Sequence, residues 1–497
     1  MLTRLIKPVL MVCAVFITVW VIVVVYWNFT ARMPSTSDIL LYLIVLPLAL
    51  VVFYVVLRRI FTGAPTAAAL PSAARGASVA VAGAGASAST AGAADALQER
   101  LQMAVLAFGL HTPRGNDAEA VAAAVSQGQM PDLVPELRDN EGFPVLAGCV
   151  AGIDANELRE HLRETLLSAP DALNADKLPD DRLRAIQLMS DVLQELLASA
   201  ADAIINAGDA LLVRAPGRFV SSGEVIPGAA AAPVLCISLL LPGAWSESER
   251  SIATQWVQHQ AREAYPSQHW TVDCFKSEPG ASAMALLDRI NIALHREQRP
   301  ALWMALAADS AISSECIAKW EAEGLLHSAA RRNGRVPGEA AAGLLLARAG
   351  DALFAPANPD TVLLSHCASG QRDESADTAR APNADLLDVF AQRLLAASAL
   401  QPDAIDWVVS DADHRASRVT EVAKLVQERL PHVPFESNLS ICATLGYLGA
   451  AADMTAVALA CHLATRESHH VLALSVRDAL ARTAMLAGRA SLAPQVT

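Results

Sequence analysis

Cysteine and histidine, the side chains best suited to covalent or metal chemistry, are scattered along this chain. The eight cysteines stand singly, with no C-x-x-C pair and no histidine cluster beside them. Structural zinc and disulfide frameworks need such groupings, so the sequence predicts no metal site and suits a reducing compartment. The neighbours His469 and His470 have no acidic or cysteine residue at ligand spacing and are predicted to lie on the surface. Gly83 to Gly85 follows no strand, which argues against a phosphate loop and leaves no cofactor predicted.

Charge excludes one large class of partner. The formal net charge is -13, whereas nucleic-acid binding requires clustered Lys and Arg to neutralise phosphates. We therefore expect no nucleic-acid partner. The dense charge cluster from Gln371 to Arg380 is predicted to be a solvated loop.

Short apolar runs alternate with helical patterns from Leu101 onward, which is typical of an α/β architecture. Three runs predict strands: MAVLAFGL, Pro233 to Gly243 and His269 to Phe275. Three others predict helices: DAEAVAAAVSQG, Asp180 to Ala200 and SERSIATQWVQHQAREA.

Five segments, in order, resemble the β-ketoacyl synthases. AVLAFGLHTPRGNDAEAVAAAVSQGQ is similar to that family's first strand, turn and helix, and FPVLAGCV to the stretch after that helix. ALWMALAADSAISSECIAKWEAEGLLHSAARRNGRVPGEAAAGLLLARAGD resembles the segment that closes its first half. AIDWVVSDADHRASRVTEVAKL and SNLSICATLGYLGAAADMTAVALACHLA resemble the stretches with its catalytic histidines. The resemblance implies a thiolase-like αβαβα layered fold of two similar halves.

The family joins acyl chains with a cysteine at a helix N-terminus and two histidines that stabilise the enolate and oxyanion. In this sequence the matching run SEPGASAMALLDRINIAL puts Gly280 at the cysteine position. Ser410 to Asp413 stand where the first histidine belongs, with Asp411 taken as the substitute and the exact register over residues 410–415 left open. Gly446 stands where the second histidine belongs. Ile441 occupies the position of a family lysine. The resemblance therefore implies a site without its catalytic triad. Catalytic residues that act as a unit lose nearly all of their activity when one of them is removed, so no acyl condensation is expected.

A few other side chains remain as alternatives. Cys274 is a shifted nucleophile or, more simply, a small residue packed in the core. His414 falls two or three places late and is predicted to be a turn residue, while His432 and His462 miss the histidine positions in every register. Ser277 and Ser282 have no base beside them in the sequence.

The N-terminal part predicts a membrane hairpin over residues 1–60. Pro8 to Phe29 and Asp38 to Leu57 are long enough to cross a bilayer as helices, and the basic residues outside the two spans place both chain ends in the cytoplasm. A cleaved signal peptide is the alternative for the first span, and a buried core helix for the second. Residues 61–98, rich in Ala, Gly and Ser, predict a flexible linker, and residues 99–497 the synthase-like domain.

Three functions are retained as hypotheses. The first is an inner-membrane, catalytically inactive synthase-like scaffold that docks a partner protein, with an envelope or secretion complex as one setting. The second is an active acyl-condensing or acyl-transfer enzyme in lipid or polyketide-type synthesis. The third keeps an acyl tunnel as a sensor for lipid or acyl carrier protein. The resemblance also implies a homodimer, or a heterodimer with a paralogue.

Overall fold

The computed structural model describes most of the chain from Leu101 to Arg489. The ranges are residues 101–165, 176–214, 234–264, 270–278, 281–296, 301–356, 358–378, 381–466 and 469–489. The predicted membrane hairpin, the linker and Gly280 lie outside them. Within these ranges, no helix combines the length and the apolar character that crossing a bilayer requires.

The strands of the first half form a mixed sheet. They are β1 (Met103–His111), β4 (Val234–Pro242), β5 (Trp270–Ser277), β6 (Ala301–Ser310) and β7 (Glu339–Arg348). Their order is β5-β4-β6-β7-β1. β4 is parallel to β5 and β6, whereas β7 is antiparallel to both of its neighbours.

The second half repeats this arrangement. Its strands are β8 (Val362–Leu364), β9 (Ala368–Gln371), β10 (Ile405–Ser410), β11 (Asn438–Ser440), β12 (His470–Ser475) and β13 (Ala481–Arg489). The order β11-β10-β12-β13-β8 matches that of the first half strand for strand, with the same parallel and antiparallel pairs. The predicted similarity of the two halves is thus visible in the topology.

The first strands of the two halves, β1 and β8, pair antiparallel and join the halves into one sheet. The helices lie beside these strands. They are α1 (Ala118–Ser126), α2 (Ala155–Thr165), α3 (Asp180–Arg214), α4 (Glu247–Ala264), α5 (Ala283–Arg296), α6 (Ser314–Ala322), α7 (Asp385–Ala397), α8 (Ala416–Arg429), α9 (Ile441–Leu445) and α10 (Ala452–Thr465).

Helix α10 occupies the centre of the body. It contacts β10, β12 and β13 of the second half as well as β1 and β7 of the first, and it also packs against α5. Its sequence ADMTAVALACHLAT is rich in small residues, so strands can approach it closely, and nearly every position is buried. The arrangement of α3 and α4 outside the first half and α7 and α8 beside the second is consistent with a thiolase-like layered fold.

The strands and helices read from the sequence are confirmed where the structure describes them. The helix predicted from Asp180 to Ala200 is longer than expected, because α3 continues to Arg214. Its buried stretch packs across β1, β6 and β7. The hairpin of β2 (Asp132–Arg138) and β3 (Pro144–Ala147) forms a separate two-stranded sheet with a small core under α6.

The charge cluster from Gln371 to Arg380 was predicted to be a solvated loop, and the structure corrects this prediction. It is not simply solvated, because Arg372 forms a 2.6 Å ion pair with Glu421, whose side chain is almost fully buried. Asp377 similarly lies 2.8 Å from the buried Arg418. Glu421 also binds Arg482 through two hydrogen bonds of 2.8 Å. Opposite charges on α8 therefore hold this loop against the second half.

Candidate functional site

A cavity of about 510 Å³ opens where parallel strands of the first half end. Pro242 closes β4, Ser277 closes β5, and Asp309 lies at the end of β6. Carboxyl ends of parallel strands meet at one edge of a sheet, which is where α/β proteins commonly bind ligands. The second half adds Gly449, Ala450 and the turn after β12 to the same cavity. Glu278 and Ser282, which flank the predicted nucleophile position in the sequence, also line the cavity.

Helix α5 begins beside this cavity, and its first N–H groups already have acceptors. Ser282 Oγ accepts a hydrogen bond from the Ala285 N–H at 3.3 Å. Asp453 Oδ2, on the buried helix α10, accepts from the Met284 N–H at 3.1 Å. A carboxylate at this helix end opposes the formation of a second negative charge nearby. Gly280, the predicted counterpart of the nucleophile, is not among the described residues.

Cys274 lies on β5 but does not line the cavity. It is half-buried and packs against the core that includes α4. Burial raises the pKa of its thiol, although the Thr254 hydroxyl and Arg250 act in the opposite direction. A raised pKa keeps the sulfur protonated and a poor nucleophile.

Cys316 is the thiol that does line the cavity, and sequence reasoning did not single it out. It lies in the first turn of α6, and its N–H donates to the Ser313 side chain at 3.1 Å. Burial, together with the carboxyls of Asp181 and Asp309, raises the pKa of the Cys316 thiol to about 12. Its position at a helix N-terminus does not overcome these effects.

Asp411, the predicted counterpart of the first family histidine, binds the turn after β12. Its carboxyl accepts hydrogen bonds from the Ser475 hydroxyl at 2.6 Å and from the N–H groups of Val476 and Arg477 at 2.6 and 3.0 Å. Burial raises the pKa of Asp411, and the charge of Arg477 lowers it. The side chain therefore connects β10 to the β12–β13 turn.

Gly446, the predicted counterpart of the second histidine, has a backbone that favours glycine. Its φ is +81°, and a Cβ atom built there would lie 2.5 Å from the Pro337 carbonyl oxygen. No imidazole fits without movement of the chain around Pro337. Ile441, at the position of the family lysine, is completely buried in the apolar core.

The remaining histidines named from the sequence lie away from the cavity lining. The His414 ring packs edge-on against His327 at 4.9 Å, and its Nε2 lies 3.2 Å from the Arg332 carbonyl oxygen. His432 Nε2 lies 2.7 Å from the Ile405 carbonyl oxygen, and His462 pairs with Glu119. Among the described residues, the structure brings no imidazole to the cavity.

Asp309 is a further titratable group at the cavity that sequence reasoning missed. Its Oδ2 accepts a hydrogen bond from the Ala450 N–H at 2.9 Å, across the boundary between the halves. Burial raises its pKa to about 7, a shift that the Ala450 N–H, Arg182 and Arg477 limit and Asp181 increases. Gly449 allows this contact, because a Cβ there would overlap the carboxyl. Ser277 and Ser282 line the same cavity, but no hydrogen bond in the described residues joins either hydroxyl to Asp309.

Aromatic and cationic side chains form another wall of the cavity. Arg477 Nη1 donates to the Tyr447 hydroxyl at 2.9 Å. The Tyr447 ring packs edge-on against Trp320 at 5.5 Å. The Arg335 guanidinium lies 4.6 Å from the Tyr447 ring centre and 5.9 Å from that of Trp320. These contacts fix the wall in one arrangement.

A buried ion pair holds the strand end that carries Asp309. Glu339, at the start of β7, is fully buried and lies 2.5 to 2.9 Å from two nitrogens of Arg184. It also accepts hydrogen bonds from the Ser310 hydroxyl at 2.8 Å and the Val150 N–H at 2.7 Å. Because every partner comes from a different element, Glu339 fixes their relative positions. In the part of the chain that the structure describes, no group of three His, Cys, Asp or Glu side chains is arranged to hold a metal ion.

Comparison with known proteins supports the fold. No protein-family model and no curated protein matches the chain. Solved structures do. The ketosynthase from module 6 of the bacillaene synthase of Bacillus subtilis 168 superposes with a TM-score of 0.51 at 13% identity, over 78% of this chain and 72% of that one. The oxazolomycin ketosynthase domain OzmH KS7 of Streptomyces albus JA3453 gives 0.50 at 12% identity, over 80% and 75%. The described body therefore has a ketosynthase-like fold.

Proposed function

We propose that this chain is a membrane-anchored, ketosynthase-like protein that does not condense acyl chains and instead docks a partner protein. The predicted hairpin anchors it in the inner membrane with its body in the cytoplasm. One observation carries the proposal: among the described residues, no imidazole lines the cavity, and the pKa of its thiol, Cys316, is raised. The predicted histidine positions hold Asp411, which binds a turn, and Gly446, which leaves no room for a side chain.

Two further features support docking. The described residues have a ketosynthase-like fold, and they present large apolar side chains to solvent. Phe435 is 86% exposed, Leu133 64% and Phe143 61%. Exposed aromatic and aliphatic side chains of this size are common anchors of protein interfaces. The predicted linker would give the body reach from the membrane, and an envelope or secretion complex is one setting for it.

A homodimer, or a heterodimer with a paralogue, is part of this proposal. Within the described residues, β5 pairs with β4 alone and leaves its outer edge free. A free edge strand can pair with another chain. Light scattering of the full-length chain in detergent, corrected for the micelle, measures the mass, and a monomer at micromolar concentration contradicts the dimer.

Thiol labelling tests the absence of condensing chemistry. The full-length chain in detergent is treated at pH 7.5 with an electrophile that mimics an acyl thioester, and the modified cysteines are located by mass spectrometry. We expect no stoichiometric labelling of Cys316 or Cys274 in the folded protein and full labelling in denaturant. The denatured sample is the control for the reagent, because it shows that the electrophile labels each thiol once that thiol is accessible. Stoichiometric labelling of one cysteine in the folded wild-type chain would favour the alternative, an active acyl-condensing or acyl-transfer enzyme.

Affinity purification tests docking. The tagged full-length chain is compared with residues 1–98 alone and with a Phe435→Ser, Leu133→Ser double variant. A partner protein enriched by the full chain, but by neither comparison, supports docking through the body. Acyl carrier protein as the partner would instead favour acyl sensing or transfer. Equal enrichment by residues 1–98 contradicts the proposal.

A further inference from the structure

One wall of the cavity contains a buried carboxyl oxygen without a hydrogen-bond partner. Asp181 lies in the first turn of α3 and is 5% exposed. Its Oδ2 binds Arg182, but its Oδ1 has no hydrogen-bond partner among the described residues. A buried acceptor left without a donor costs free energy. Asp181 lines the cavity, so a ligand there could supply the donor.

Asp309 presents a second incompletely bonded carboxyl to the same space. Its Oδ2 accepts from Ala450, whereas no described donor reaches Oδ1. The two carboxyls are close enough to influence each other, since the charge of Asp181 raises the pKa of Asp309. Both also raise the pKa of the Cys316 thiol. A ligand that carries positive charge and several N–H donors would satisfy both carboxyls at once.

Two cations of the cavity also lack an opposite charge. Arg335 is half-buried and stacks on Tyr447 and Trp320, and no described carboxylate lies within ion-pair distance of it. Lys319 is exposed on α6 and likewise has no ion pair among the described residues. The other two arginines of the cavity already have partners: Arg182 binds Asp181, and Arg477 binds Tyr447. An anionic group on the ligand would complement Arg335 and Lys319.

We propose that the cavity binds a small zwitterion, with its ammonium group between Asp181 and Asp309 and its carboxylate at Arg335 and Lys319. This ligand class differs from an apolar acyl chain, which would leave Asp181 Oδ1, Arg335 and Lys319 without partners. The proposal goes beyond the docking function and does not depend on it, because the cavity and the exposed apolar residues are separate features.

Isothermal titration with three probes of equal chain length tests the proposal. The full-length chain in detergent is titrated with 5-aminovalerate, pentylamine and pentanoate at pH 8. We expect 5-aminovalerate to bind best, pentylamine about tenfold more weakly and pentanoate weakest, since it cannot donate to the carboxyls. Asp309→Asn and Asp181→Asn should each weaken 5-aminovalerate binding by about tenfold or more. Asp360→Asn is the matched control, because that carboxyl is 72% exposed and outside the cavity.

A pH series adds a second readout. The amine and carboxylate of 5-aminovalerate keep their charges between pH 6 and 8, whereas Asp309 becomes ionised across that range. Arg182 and Asp181 on α3, Cys316 on α6 and Arg477 after β12 are the charged or titratable groups around it. Affinity should therefore rise about tenfold from pH 6 to pH 8 in the wild-type chain and stay nearly constant in Asp309→Asn.

Three results would overturn the zwitterion site. They are no heat from any probe at millimolar concentration, pentanoate binding as tightly as 5-aminovalerate, and unchanged affinity in both cavity variants while Asp360→Asn behaves as wild type. None of them bears on partner capture, so failure of this site and failure of docking can be told apart.

Discussion

Replacing Asp309 with asparagine should stabilise the folded chain at alkaline pH but not at acidic pH. Asparagine keeps an oxygen that can accept from the Ala450 N–H, so the variant removes the charge and retains the shape. The pKa of Asp309 is about 7 in the folded protein, against an ordinary value of 3.8. A carboxyl with a raised folded pKa contributes stability that is complete below the unfolded pKa and is lost as pH rises through the folded pKa.

The window for this loss therefore runs from about pH 4 to about pH 7. Between pH 5 and pH 8 the contribution falls by about 3 kcal/mol, at about 1.4 kcal/mol per pKa unit. For a body of about 400 residues, with an unfolding entropy of about 2 cal/mol/K per residue, this corresponds to roughly 3 to 4 °C in the melting temperature. Asp309→Asn should melt above the wild type at pH 8 by about that much more than at pH 5.

Differential scanning fluorimetry of the full-length chain in detergent measures this difference. Other groups titrate over the same range, so the decisive quantity is the wild-type-to-variant gap at each pH and not the absolute melting temperature. Asp360→Asn serves as the control for removing an exposed carboxyl. If the gap stays constant from pH 5 to pH 8, the Asp309 carboxyl does not titrate near neutrality, and the description of the cavity is wrong.

Three other predictions concern the site and its support. Gly446→Ala should destabilise the fold by at least about 3 kcal/mol, because its Cβ meets the Pro337 carbonyl. Gly350→Ala, with a similar φ but open space, should cost only about 1 kcal/mol, and equal losses in thermal melts would contradict the close contact. Glu339→Gln should cost about 3 to 5 kcal/mol by leaving Arg184 buried without its counter-ion, and near-wild-type melting would refute this. Alkylation of Cys316 by iodoacetamide, followed by mass spectrometry, should accelerate about tenfold per pH unit from pH 8 to 10, and a plateau below pH 9 would show an activated thiol.

The sequence predicted most of the strands because they are buried and apolar. β4 and β6 are nearly continuous apolar runs, as expected of parallel strands covered on both faces. The strand before Asp411 was predicted in the same way, although the sequence left the exact register over residues 410–415 open. Such patterns depend only on residues that are neighbours in the chain, so a single sequence is enough to reveal them.

The cavity was not predicted, because its groups come together only in the folded chain. Asp181 and Asp309 lie on separate elements and are more than a hundred residues apart in sequence. The one local signal was Asp309 itself, a charged residue at the end of an apolar strand. The charge cluster around Arg372 was misjudged for the same reason, because its partner Glu421 lies on α8.

The substitutions at the synthase positions support one another, and this argues against simple restoration of a thiol. At the head of α5 the Asp453 carboxylate already occupies the Met284 N–H, so this donor is not free to stabilise a thiolate. Replacing Asp411 with histidine would release the β12–β13 turn that its carboxyl holds. Replacing Gly446 would force the backbone away from Pro337. Both histidines would thus need a second change to be accommodated, which supports the proposal of docking over the alternative of acyl condensation.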